Sequence, residues 1–313
     1  MKSVNSTQSG STDKMFNSAK KIMATFIVAM CMVQGMWANT ATEIADIIRN
    51  ASGNQLTATV SGSNVTVTGT IPATLSNADF LRFGINAGTT VIWRASLTGS
   101  PSGNFSLINI TGGSGTFRIE SGIIENTSNG RAITNNSAST ITIQGGTIRT
   151  GSGTAIHNAS TGVITVSGGT VSATTGTAIS SYGRITINNG TVSTTSGTTI
   201  SASGTITISG GTVSSITGTA FQNRGTATVS GSAIITSANS NSNLGNGFGG
   251  HTIELNGGTL NINGGTVENT ATSNTANNRA IFAFWGNNNT LNISGGTVRS
   301  TNGDAIVWWV YLA

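Results

Sequence analysis

The side chains able to do acid–base or metal chemistry are few and scattered. After residue 110 the carboxylates are Glu120, Glu125, Glu254, Glu268 and Asp304. Two carboxylates flanking a glycosidic bond can divide general acid and base work, and clustered carboxylates hold calcium. A polysaccharide lyase or hydrolase would need Glu120, Glu125 or Glu254 to converge with an arginine in a groove. Lysine is no candidate base, because Lys2, Lys14, Lys20 and Lys21 all lie in the first 21 residues. His157 and His251 read as lone imidazoles without a carboxylate neighbour in sequence. His157 reads as a solvated loop residue, at a position other repeats fill with Ser180 or Ser201. No Asp recurs turn by turn as in calcium-binding nonapeptides, and no Gly-Lys-Ser/Thr phosphate loop is present. The expectation is no catalytic residue, no metal and no cofactor.

Two other surfaces could bind. The chain ends DAIVWWVYLA, and RAIFAFWGN is the equivalent stretch one repeat earlier. In that alignment Trp308 and Trp309 stack near Ala283 and Phe284. The structural reading is a hydrophobic plug or the end of a truncated reading frame. The functional reading is an aromatic platform for sugar rings, with Trp285, Trp308 and Trp309 as its ligand-binding residues. The pairs Thr170/Ser172, Thr191/Ser193 and Thr212/Ser214 form outward hydroxyl columns of the kind an ice-binding surface uses. Columns of threonine are also an ordinary way to solvate a β face.

The elements that position these residues come from a repeat. ITIQGGTIRTGSGTAIHN begins at Ile141, ITVSGGTVSATTGTAISS at Ile164, ITINNGTVSTTSGTTISA at Ile185 and ITISGGTVSSITGTAFQN at Ile206. Weaker copies begin at Phe117, Ala227, Leu260 and Leu291. A fixed period in the twenties marks a solenoid and excludes disorder as the main reading. Alternation in Ile-Thr-Ile predicts a half-buried strand with the isoleucines inward and Thr142, Thr165, Thr186 and Thr207 outward. Gly-Gly predicts a sharp corner using positive φ. Asn189 replaces the first glycine in the third copy, which its tolerance of that region would allow. A second strand then carries Ile148, Val171, Val192 and Val213 inward, and a third Ile156, Ile179, Ile200 and Phe221. One coil buries too little to offset ordering its own chain, so stability must belong to the stack. In this register Glu125 meets Arg149, and Glu268 meets Arg299, one coil later.

Composition fits this picture. Charged residues are 7% of the 313, far below the usual quarter. Ten arginines against eight acids follow residue 38, spread singly. A nucleic-acid surface needs a basic stripe, so nucleic acid is not an expected partner. Residues 1–38 read as a secretory signal: Lys14, Lys20 and Lys21, then the apolar run Ile22 to Val33, with cleavage after Ala38. The membrane is then met only during export, and the destination is secretion or the cell surface. Cys31, the only cysteine, falls inside that signal, so the mature chain has no thiol.

Residues 39–54 predict a short capping helix, with Ile44, Ile47 and Ile48 on one face and Thr42 as N-cap. Residues 55–115 read as irregular first coils, with a separate small β domain as the alternative. Residues 116–313 read as regular coils, open to truncation at their C-terminal end. Residues 236–250 read as a loop emerging from a coil.

The Ile-x-Ile-x-Gly-Gly-Thr-Val pattern over residues 117–310 resembles the right-handed parallel β-helix superfamily. That group includes pectate lyases, polysaccharide hydrolases, and adhesin or autotransporter passenger domains. The resemblance implies an all-β, right-handed parallel β-helix with three short strands per coil of about 21–23 residues. It permits polysaccharide cleavage by analogy alone. The function expected from the residues is a non-catalytic, adhesin-like or glycan-contacting surface solenoid, whose partners are glycans or molecules on host or neighbouring cells. The alternatives are a divergent polysaccharide lyase or hydrolase and an ice-binding solenoid.

Overall fold

The structure, a computed structural model, describes residues 38–72, 79–240, 250–273, 278–284 and 288–308. The segment expected to be an export signal, up to Trp37, and both Trp285 and Trp309 lie outside the described residues. The described chain is nearly all β: a parallel solenoid of about nine turns with three strands per coil and one short helix.

The inward columns follow the alternation. On the first face Ile141, Ile164, Ile185 and Ile206 stand in register. On the second, Ile148, Val171, Val192 and Val213 do so. On the third, Ile156, Ile179, Ile200 and Phe221 do so. All twelve are fully buried in one continuous core. Each contributes roughly 1.5–3 kcal/mol of burial, available only because the coils above and below exclude water.

The corner between the first and second faces is set by glycine. Gly146, Gly169, Gly190 and Gly211 have φ of 73°, 68°, 82° and 71°. The left-handed residue is therefore the second of each pair. Asn189 occupies the first position and is not left-handed, since Asn54 and Asn288 are the only described non-glycine residues with positive φ. Its presence needs no left-handed tolerance, contrary to the expectation.

The 21–23-residue coil holds in the middle of the rod and lengthens toward both ends. Val91 and Phe117 are paired 26 residues apart, and Ala227 and Leu260 33 apart. Most of the extra length enters at one place. Connections from the second to the third face range from three residues (151–153) to thirteen (238–250). Connections from the first to the second face never exceed four (230–233). The strand preceding the long connection runs to Ser237, so the loop begins two residues later than expected.

Polar side chains inside the corners form ladders of their own. Asn135 Nδ2 donates to Asn158 Oδ1 at 3.0 Å, and Asn158 Nδ2 donates to Ser181 Oγ at 3.0 Å one coil further on. The same Nδ2 donates to the Gly162 carbonyl at 2.7 Å. Asn135 and Asn158 are fully buried, so these bonds satisfy groups that no water reaches.

At the N-terminal end the helix Ala41–Ala51 lies against the first strands and buries Ile44, Ala45 and Ile48. Its N-cap is Thr40, not Thr42: Thr40 and Glu43 exchange bonds in a capping box. The next strand, Leu56–Ser61, is not a coil strand. It pairs antiparallel with Asn64–Ile71 in a hairpin, and parallel stacking starts from the latter. Together, helix and hairpin cover the edge that a bare coil would expose.

Candidate functional site

The edge between the second and third faces carries the long connections, and a groove lies along each side of it. One, of about 440 Å³, is lined by Thr175-Gly176-Thr177, Ser196-Gly197-Thr198 and Thr217-Gly218-Thr219 from three successive coils. Asn239, Gly250, His251, Glu254 and Phe284 complete its lining. The other, of about 640 Å³, includes the outward serines Ser172, Ser193 and Ser214 with Glu125, Arg149 and Ile216.

His251, Glu254 and Phe284 belong to a polar and aromatic cluster. The strand His251–Leu255 follows the longest connection, and Gly250 precedes it at φ 40°. His251 Nε2 lies 3.4 Å from Glu254 Oε2, which corrects the reading of His251 as lacking a carboxylate neighbour. Residues three apart on a strand face opposite ways, but His251 sits at the corner where that alternation fails. Gln222 Nε2, one coil below, donates to Glu254 Oε1 at 2.7 Å. Asn256 Nδ2 reaches the same oxygen at 3.5 Å. Burial pushes the Glu254 carboxyl up, but the bonds from His251 and Gln222 outweigh it and hold the group below the usual carboxylate range. The His251 ring stacks on Phe282 at 5.4 Å, and Phe284 meets Phe282 edge-on at 4.9 Å. The Arg279 guanidinium lies 5.0 Å from the Phe282 ring centre.

Glu120, Glu125 and Glu268 are held in ion pairs. Arg149 Nη2 lies 2.7 Å from Glu125 Oε2, and Arg299 Nη2 lies 2.9 Å from Glu268 Oε2, both across the expected registers. Such exposed pairs are worth about 0–1 kcal/mol. Glu120 takes Arg94 at 2.7 Å and Arg118 at 2.9 Å. The Arg94 hydrogen bond, joined by Arg118, holds the Glu120 carboxyl below its ordinary range. Glu254 stands five coils beyond Glu125 along the third-face register, about 24 Å at the usual strand spacing. Glu254 and Glu125 therefore do not converge. Asp79, which the sequence reading did not weigh, accepts from Ser106 N and Oγ, both at 2.9 Å, and from Asn109. No group of three or more His, Cys, Asp or Glu among the described residues could hold a metal ion.

Of the aromatic candidates, Trp308 pairs with Ala283 as the alignment predicts. It lies on the inward register of the third face at the end of the last described coil and is 45% exposed.

His157 is not a loop residue. It lies in the strand Thr154–Asn158 and is half-buried. Burial, joined by the Arg131 cation, pushes its imidazole down to about 4. The unfolded chain, with an ordinary value near 6.5, then binds the proton more readily than the folded one. Stability is therefore expected to fall as pH drops from about 6.5 to about 4, by roughly 1–2 kcal/mol after discounting for partial exposure. Urea titrations of wild type and His157→Gln at pH 7.5 and pH 4 test this. The two proteins should lose equal stability if His157 is not the group responsible.

Comparison of the chain with protein-family models, curated proteins and solved structures finds no match in any of the three.

Proposed function

We propose that the chain is an exported, non-catalytic solenoid that contacts glycans at the cell surface through its loop-bearing edge, as an adhesin does. The observation that carries this reading is the concentration of inserted length at one edge, from three residues at 151–153 to thirteen at 238–250. In stacked-repeat proteins such insertions gather on the face that binds. The grooves beside those loops offer hydroxyls, amides and an aromatic ring, groups that match sugar hydroxyls and the apolar faces of sugar rings. Glu125 and Arg149 do meet in a groove, as a lyase or hydrolase would need, but no second carboxylate joins them: Glu254 stands five coils away, about 24 Å, far beyond the separation of a two-carboxylate site, which supports the adhesin members of the β-helix superfamily as the analogy. Export rests on the lysines and the apolar run before Ala38.

The purified chain is to be applied to a glycan array and, separately, incubated with neutral and uronate polysaccharides. Retention on the array with no new reducing ends or unsaturated products is the expected result. Product release above a blank would overturn the non-catalytic assignment, and absence of retention would overturn glycan contact. In the native cell the mature chain should start at Asn39 and be found outside the cytoplasm.

A further inference from the structure

The arginines lie singly in the sequence, but stacking gathers two of them at one corner. Connections of two residues join the third face to the first at 182–183, 203–204 and 224–225. A β-carbon on Gly183, Gly204 or Gly225 would lie 2.1 Å from the carbonyl oxygen of Gly162, Gly183 or Gly204 respectively. The coils are therefore in close contact here, and the residues on either side of each glycine are held on a fixed grid. Tyr182, Ser203 and Arg224 stand before the glycines, and Arg184, Thr205 and Thr226 stand after them. All six are exposed, Tyr182 by 64%. Coil steps of about 4.8 Å put Arg224 about 10 Å along the axis from Tyr182. The two arginines occupy opposite corners of the grid, with the hydroxyls of Ser203 and Thr205 in the coil between them.

Among the described residues neither arginine has a carboxylate partner, unlike Arg94, Arg118, Arg149 and Arg299. Glu254 stands one coil beyond Gln222 and is bonded to His251, Gln222 and Asn256, not to Arg224. A guanidinium presents a fork of donors that suits the paired oxygens of an oxyanion. A tyrosine ring offers an apolar face, and hydroxyls donate and accept as sugar hydroxyls do. Two cations fall short of the basic stripe that nucleic acid or an anionic membrane needs.

We infer that this corner is a second contact surface, for an acidic glycan. Arg184 and Arg224 bind its carboxylate or sulfate groups, Tyr182 packs against a sugar ring, and Ser203 and Thr205 bond to its hydroxyls. This rests on the glycan-contact reading above and adds to it a place away from the loop-bearing edge and a ligand charge.

The test is calorimetric titration of the full chain with three hexasaccharides: a neutral β-linked glucan, a galacturonate and a sulfated heparin fragment. The last two tell carboxylate from sulfate. At least one of them should bind about tenfold or more tighter than the glucan, and should lose that advantage as salt is raised to about 1 M. Arg184→Gln and Arg224→Gln should each weaken the acidic ligand about fivefold or more and leave the glucan unchanged. The double variant should erase the preference, and Tyr182→Ala should weaken the acidic ligand as well. Arg82→Gln removes the same charge from another exposed arginine that no described carboxylate pairs with, four coils away in register, and should change nothing. Circular dichroism establishes that each variant is folded. An equal loss from Arg82→Gln would overturn the inference, as would equal binding of all three hexasaccharides or equally tight binding of an oligodeoxynucleotide of the same charge. In those cases retention of the glucan would leave glycan contact standing, whereas absence of all glycan binding by the wild type would remove both.

Discussion

Replacing Gly153 by alanine is expected to cost the solenoid about 3 kcal/mol or more, while the same change at Gly151, two residues earlier, costs nothing. Alanine for glycine normally stabilises by about 0.4–1 kcal/mol, because it narrows the unfolded ensemble. Neither residue has positive φ, so backbone preference does not separate them. Space does. A β-carbon on Gly153 would lie 1.7 Å from the Gly130 carbonyl oxygen and 2.6 Å from the Asn129 oxygen. Both are backbone atoms of the coil below and cannot swing aside. On Gly151 the nearest atom is the Ser128 oxygen at an ordinary 3.5 Å. Overpacking typically costs about 1–3 kcal/mol, and a clash with backbone in a stacked array belongs at or above the top of that range. Urea midpoints of the two variants decide it. Similar midpoints would mean that the coils stack less closely than described.

The second large effect is at Asn158. Leucine has a similar size but cannot bond, so Asn158→Leu removes the acceptor of Asn135 and the donor to Gly162 and Ser181 together. Each buried group left without a partner costs about 1–3 kcal/mol. A loss of about 3–5 kcal/mol is expected, because Asn135 still reaches the Ser139 carbonyl and Gly183 N still donates to Ser181 Oγ. A double-mutant cycle with Ser181→Ala should show coupling of at least about 0.5 kcal/mol. Additive losses, or a single-variant loss under about 1 kcal/mol, would mean that the ladder does not hold the coils together.

The features legible in the sequence are those that depend on period alone. Alternation placed Ile141, Val171 and Ile179 inward. Counting one coil placed Arg149 beside Glu125 and Trp308 beside Ala283, because parallel stacking preserves register. What escaped depends on places where the period breaks. His251 meets Glu254 only because a corner at Gly250 turns the first residue of the strand out of its alternation. Glu120 meets Arg94 because both sit just past a strand, where counting inward and outward positions no longer applies. The hairpin at Leu56–Ser61 has the same alternation as a coil strand, but the two-residue Gly62-Ser63 turn between it and Asn64–Ile71 is a hairpin signal, and reading alternation alone passed over it. The groove itself comes from loop length and from glycines whose role is closeness rather than φ, and neither leaves a motif.

The difference between the two corners has a consequence for how such a chain can change over generations. One corner is locked by a left-handed glycine and a short connection, and the other accepts three to thirteen residues without disturbing the registers on either side. A whole coil can therefore be duplicated or lost as a unit, lengthening or shortening the rod by one step. New sequence inserted at the tolerant corner alters recognition without touching the frame. The frame repeats along the axis and takes up added length most readily at one of its corners.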